Sequence, residues 1–192
     1  MKKFLASALM LLAASTTTFA QNAVGSFSLQ PKAGISIADM TDTQGTTSRI
    51  GFVGGLEGEY QASDIFSLSL GVNYSQEGFK MKNSDDEIKL DYIDVPILAN
   101  VYLTKGLAVK VGVQPGFNVG NSVTVDGNTM SSSKKDYDGI KSVALSIPVG
   151  LSYEISNVVL DARYNWGVTK AFDGLDSKHS VFQVTIGYKF QL

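Results

Sequence analysis

His179 is the only histidine of the chain, and Asp176, Ser177 and Ser180 stand beside it. A membrane-embedded lipase or deacylase would use such a set, with a serine hydroxyl as nucleophile, the imidazole as base and the carboxylate to orient it. Those groups must meet by hydrogen bonds, which adjacent residues of one polar loop rarely do. The histidine therefore reads as a solvated loop residue, and a lipid-modifying enzyme comes last among the functional readings. Zinc would need further histidine or cysteine ligands, and the chain has neither a second histidine nor any cysteine. Asp85-Asp86-Glu87 and Asp126-Gly127-Asn128 offer oxygens for calcium without the spacing of a dedicated calcium loop, so both read as solvated tips. Gly51, Gly54, Gly55 and Gly58 have the composition of a phosphate loop, but no helix follows them, and a closely packed wall accounts for them better. No catalytic residue, metal ligand or cofactor is expected.

The charges that interrupt otherwise small and polar faces are more informative: Lys32, Glu57, Glu59, Lys110, Asp161, Arg163 and Lys189. Asp161 and Arg163 are two residues apart and share a face, with Lys110, Glu57 and Glu59 as partners from other strands. Such a set either pairs into a salt-bridged plug or lines a narrow pore. A barrel of eight strands leaves an interior that side chains just fill, which favours the plug.

What positions these residues is a chain of alternating segments, preceded by text of another kind. Lys2 and Lys3, the apolar run Phe4 to Ala14, and Thr18-Phe19-Ala20 have the order of a secretory signal, so residues 1–20 are expected to be cleaved and residues 21–192 to form one domain. Removing the two lysines of the leader leaves 14 basic against 18 acidic residues, a net charge of −4. No basic stripe suits nucleic acid. Beyond the leader no apolar run is long enough for a membrane helix, so a membrane-spanning fold would have to use strands.

Apolar and polar residues alternate through the rest of the chain. Phe27, Leu29, Ala33, Ile35 and Ile37 oppose Ser28, Gln30, Lys32, Gly34 and Ser36; Ile50, Phe52, Leu56 and Tyr60 oppose Gly51, Gly55, Glu57 and Glu59. Similar runs start at Phe66, Leu107, Val143, Val158 and Phe182. The segment from Ile88 to Leu103 changes phase: Ile88, Leu90 and Tyr92 have one parity, Val95, Ile97, Ala99 and Val101 the other. A bulge near Ile93, beside Pro96, would produce that switch. Eight strands result. Their connections alternate between short (61–64, 104–106, 156–157) and long and polar (39–48, 76–87, 120–139, 167–180). The sum is an all-β, eight-stranded, antiparallel up-and-down transmembrane β-barrel, with short periplasmic turns and long extracellular loops.

The apolar face is expected to meet lipid. Its opposite is built from Gly, Ser, Asn and Gln with a few charges of both signs, unlike the dense Lys and Glu coat of a water-facing wall. Aromatic residues gather in two girdles, with Tyr60, Phe66, Tyr102, Tyr153, Tyr188 and Phe190 near the short turns and Tyr74, Tyr92, Phe117, Trp166 and Phe182 near the long connections.

From about Ser26 to Leu192 the chain resembles the small outer-membrane β-barrel proteins (porin-family, PorT-like) of Bacteroidota. The likeness is carried by Leu90-Asp91-Tyr92-Ile93-Asp94-Val95-Pro96, by Ile147-Pro148-Val149-Gly150 and by Leu160 to Gly167, which reads LDARYNWG. The last strand, ending Tyr188-Lys189-Phe190-Gln191-Leu192, also looks like the signal by which barrel-assembly machinery recognises outer-membrane proteins, except that Leu192 stands where Phe is usual. The resemblance implies an outer-membrane location and hardly any particular activity. Outer-membrane lipid, the assembly machinery and envelope proteins at the long loops are the expected partners. The first functional expectation is a structural, adhesive or accessory protein acting through its loops, and the second is a narrow porin-like channel for small solutes.

Overall fold

The computed structural model describes residues 23–40, 46–81, 87–125, 128–132, 142–170 and 178–192. The expected leader, residues 1–20, lies outside the described residues, as do Asp85, Asp86, Asp126, Asp176 and Ser177. Strand segments follow one another as β1 Phe27–Met40, β2 Thr46–Ser63, β3 Phe66–Met81, β4 Glu87–Asp94, β5 Ile97–Thr104, β6 Leu107–Val125, β7 Asn128–Ser132, β8 Val143–Ile155, β9 Val158–Lys170, β10 Lys178–Tyr188 and β11 Phe190–Gln191. Among the described residues no helix is long and apolar enough to cross a membrane.

Every strand pair is antiparallel, and the wall closes because β10 returns to β1. Segments β4 and β5 both lie between β3 and β6, so they are two halves of one wall strand. Segment β11 extends β10 along β1, and β7 is a short return on the upper part of β6. The result is a ring of eight wall strands. Closure satisfies the backbone without water, which is the condition for strands to stand in a bilayer.

The distribution of side chains is inverted relative to a water-soluble protein. Ile50, Leu70 and Trp166 are 69%, 58% and 63% exposed on the outer wall, while Glu57 and Asp161 are 1% and 2% exposed within. In lipid the apolar exterior has nothing to avoid, so the polar groups are driven to find partners inside. Phe27 and Tyr60 stack at 4.7 Å between ring centres in the short-turn girdle, as do Tyr188 and Phe190.

Two details of the expected wall differ. The strands run further into the long connections than alternation suggested: β1 reaches Met40, β3 reaches Met81, β6 reaches Val125 and β9 reaches Lys170. The phase of the fourth wall strand never switches. Leu90, Tyr92, Asp94, Pro96, Leu98 and Asn100 are all buried, so one parity faces inward throughout. The apolar pattern changes because the interior itself turns apolar there, where Phe79, Leu90 and Tyr92 pack together with Ile88 and Ala144. The ladder does pause at Val95 and Pro96, with Val95 N–H donating to Pro115 O at 2.8 Å and Gly71 N–H to Pro96 O at 2.9 Å. The bulge belongs to β6 instead: Asp91 opposes Gly120 but Tyr92 opposes Asn118. Tyr92 and Tyr102, expected in the lipid girdles, therefore face the interior, because they share the parity of Asp94 and Asn100.

Candidate functional site

Backbone register explains how long basic side chains fit inside so narrow a wall. Lys32 lies between Gly55 on β2 and Gly187 on β10, and Gly150 on β8 lies between Lys110 on β6 and Arg163 on β9. These are close approaches rather than turns. A Cβ on Gly55 would come within 2.1 Å of Val72 O, and one on Gly150 within 2.6 Å of the Arg163 Cβ. At Gly150 the space is taken up by the neighbouring Arg163, and at Gly55 by the β3 backbone at Val72 and Asn73.

The seven charges expected inside fall into two clusters. In the first, Glu57 on β2 receives Lys32, Lys110 and Arg163 at once. The Lys110 Nζ donates at 2.5 Å to Glu57 and at 3.1 Å to Asp161. Arg163 grips Asp161 with a fork, Nε to Oδ1 and Nη2 to Oδ2 both at 2.8 Å, and its Nη2 also reaches Glu57 at 3.2 Å. Lys32 Nζ donates to Glu57 Oε2, the oxygen that Arg163 also reaches, while Lys110 takes Oε1. Because these residues come from β1, β2, β6 and β9, the cluster spans the interior from wall to wall. Charge-assisted bonds of this kind, one of them bidentate, are the strong form of the interaction.

The second cluster lies near the short turns. Lys189 bonds Glu154 at 2.7 Å and Glu59 at 3.0 Å. Glu59 also accepts from Ser67 at 2.7 Å and from the Tyr102 hydroxyl. Glu154 was not among the residues singled out, although it continues the inward parity of Ser146, Gly150 and Ser152. Tyr102 was assigned to the outer girdle, and the structure places its hydroxyl inside.

A third polar region, toward the long connections, was not anticipated. Arg49 Nε donates to Glu87 at 2.5 Å and Arg49 Nη1 to the Glu77 carbonyl oxygen at 2.9 Å. Ser75 Oγ stands 2.6 Å from an Asp94 carboxylate oxygen and 3.3 Å from a Glu77 carboxylate oxygen. Glu77 fell within a connection in the sequence reading, and Asp94 was hidden by the supposed change of phase.

Of the candidates for chemistry, Asp176 and Ser177 lie outside the described residues. The backbone of His179 belongs to β10 opposite Met40, so it stands in a strand rather than a loop, and the Ser180 hydroxyl bonds the Tyr164 hydroxyl at 2.8 Å. Gly51, Gly54, Gly55 and Gly58 all lie in β2, within the wall. Among the described residues no group of three His, Cys, Asp or Glu side chains is arranged to hold a metal.

Residues 19–173 match the family model described as outer membrane protein beta-barrel domain. The chain is also similar to the attachment invasion locus protein Ail of Yersinia pestis, solved in complex with the heparin analogue sucrose octasulfate. That likeness has a TM-score of 0.55 at 18% identity over 87% of this chain and 99% of that one. Neisserial surface protein A is similar with a TM-score of 0.57 at 20% identity, over 85% and 97% of the two chains. At such identities the solved structures speak to fold alone. No curated protein sequence matches the chain.

Proposed function

The chain belongs to the outer membrane protein β-barrel domain family, and from that premise we propose a non-catalytic envelope protein with a plugged interior that acts through its long extracellular connections. It is a small outer-membrane β-barrel protein. The observation that carries the plug is Glu57 with its three cations, a cluster that reaches across the interior between β2, β6 and β9. In a barrel of eight strands such a layer leaves little width for solute.

Planar-bilayer recording of the purified protein tests this. A silent membrane is the expected result, and steady, reproducible open steps would replace the plug with a narrow porin-like channel. The outward role is structural, adhesive or as an accessory of an envelope complex. Crosslinking from the 120–139 connection in living cells would identify the partner.

The narrower placement, among the porin-family, PorT-like barrels of Bacteroidota, is supported by the Leu90–Pro96 and Leu160–Gly167 segments. Export by cleavage after Ala20 and recognition of the last strand by the assembly machinery complete the proposal. Mass measurement of the protein recovered from outer membranes tests the cleavage, since a mature chain beginning at Gln21 is expected.

A further inference from the structure

The wall carries one interruption longer than the rest. The pairing of β2 with β3 reaches Val53 and Ser75 and resumes only at Ser48 and Phe79, so residues 49–52 and 76–78 face each other outside the paired register. Among the described residues no other lapse between neighbouring wall strands is as long. On either side of it the ladders hold. Residues 35–38 of β1 pair with residues 49–52, and Gln76, Glu77 and Gly78 pair with Asp91, Leu90 and Lys89 of β4. The break therefore separates two strand pairs that are each intact at this level.

Side chains bridge the gap in place of a ladder. The Ser36 hydroxyl donates to Gln76 O at 2.6 Å, and Arg49 Nη1 donates to Glu77 O at 2.9 Å while its Nε holds Glu87. The Phe52 N–H reaches the Gln76 side-chain oxygen only at 3.4 Å. Gly51 permits the close approach, since a Cβ there would lie 2.2 Å from Gln76 O. In lipid, backbone groups must stay satisfied, and side-chain partners can let go by a change of rotamer where a ladder cannot. On the outside, Ile50 and Phe52 are exposed on the apolar wall. On the inside, buried Val53 and Phe79 border the gap from below and above, and Phe79 packs with Leu90 and Tyr92. An apolar layer thus lies directly behind the unladdered stretch, in an interior that is otherwise mostly polar.

We propose that this stretch is a lateral gate latched by Arg49, through which an alkyl chain from the adjoining leaflet reaches the apolar layer at Phe79, Leu90 and Tyr92. Arg49 releases the Glu77 carbonyl, the β2 and β3 backbones part between the Val53–Ser75 and Ser48–Phe79 pairs, and the chain enters between them. Polar solutes are still stopped by the Glu57 cluster below, so the gate is consistent with a silent planar bilayer.

The chain has no cysteine, so a single introduced thiol reports opening. Val53→Cys places the thiol at the lower lip of the gate. Val181→Cys is the control: Val181 and Val53 are both 1% exposed, and Val181 and Arg49 lie on the two sides of Ala38. At Val181, however, the ladders to β1 and β9 are unbroken. The full-length barrel in phosphatidylcholine vesicles is treated with N-dodecylmaleimide, which dissolves in the bilayer, or with a trimethylammonium maleimide, which stays in water. The alkyl reagent should modify Val53→Cys about tenfold faster than Val181→Cys, and the charged reagent should show no such preference. Adding Arg49→Ala should speed alkyl labelling of Val53→Cys by a further factor of about ten, the effect of losing a charge-assisted hydrogen bond, and leave Val181→Cys unchanged. Heat-modifiable gel mobility reports folding of each variant. Arg49→Lys replaces Arg49→Ala should the latter fail to fold, because a single ammonium lacks the fork that spans Glu87 and the Glu77 carbonyl. Equal alkyl labelling at the two sites, or faster labelling of Val53→Cys by the charged reagent, overturns the gate, since entry then runs along the barrel axis. Labelling of Val53→Cys that neither Arg49 substitution changes overturns the latch, and the proposal with it.

Discussion

The middle of the barrel and its long-connection end are lined by the same wall strands and solve opposite problems. In the middle, Glu57 and Asp161 face Lys32, Lys110 and Arg163, so cations outnumber acids and nearly every long side chain has a partner. Toward the long connections, acids gather with unpartnered amides, and beside them Phe79, Leu90 and Tyr92 form an apolar cluster. The difference shows that the interior is layered. One layer is fixed by ion pairs, the next by apolar packing next to a polar space. A side chain's parity says which side of the wall it occupies, but only its layer says what it must find there.

Substitutions should rank by layer, and the ranking can be broken. Glu57→Ala removes the shared partner of three buried cations and should cost about 3–5 kcal/mol, as for the breaking of other buried ion pairs. Urea unfolding in lipid vesicles, followed through the lone tryptophan Trp166, would measure it. Leu90→Ala should cost about 2 kcal/mol, near the low end for a buried leucine because the adjoining cavity gives its neighbours room to adjust. The same unfolding series reads that value, and a cost equal to that of Glu57→Ala would erase the distinction between layers. Gly150→Ala places a methyl group against Arg163 and Ala162 and should cost about 1 kcal/mol or more through overpacking. The new methyl meets the Ala162 carbonyl oxygen and the Arg163 Cβ and Cα, so a double substitution with Arg163→Ala should leave that penalty in place, and relief by the shorter side chain would put the clash elsewhere. Asp94→Asn should lie within about 0.5 kcal/mol of the parent, because the amide keeps an oxygen acceptor for the Ser75 hydroxyl. A large loss there would mean that Asp94 is as tightly compensated as Glu57.

Topology offers a separate check on which end faces outward. Protease added to intact cells should cut at Lys134 or Lys135 and spare Lys105, which lies in the tight turn between β5 and β6. Cleavage at Lys105 alone would invert the barrel.

The wall was legible in the sequence because lipid on one side and a narrow interior on the other force a strict period of two. Phe66, Leu68, Leu70 and Val72 against Ser67, Ser69, Gly71 and Asn73 leave no other reading. Lys32, Glu57, Glu59, Lys110, Asp161, Arg163 and Lys189 were legible for the same reason, since a charge on the inner parity has nowhere else to go. Which charge meets which was not, because the partners come from strands far apart in the chain. The apolar layer was misread where the rule behind the pattern fails: Leu90 and Tyr92 are apolar and yet inward, so hydropathy imitated a bulge. Glu154 could have been found by extending its strand by two positions. Glu77 could not, because polar residues near a strand end look the same whether the strand continues or stops.

The pairing of β1 with β10 and β11 has a consequence for time as well as for shape. Lys32 meets Gly187, and the Leu192 N–H donates to Phe27 O at 2.9 Å, so the first and last strands form the seam of the cylinder. Neighbouring strands elsewhere meet soon after they appear, but this seam joins the two ends of the domain and cannot form until both are present. Until then the chain has two raw edges with unsatisfied amides, in a solvent that offers no replacement for them. The moment of closure is therefore the hazardous step in the life of this protein, and a factor that shelters the edge of the last strand would act at the point of greatest need.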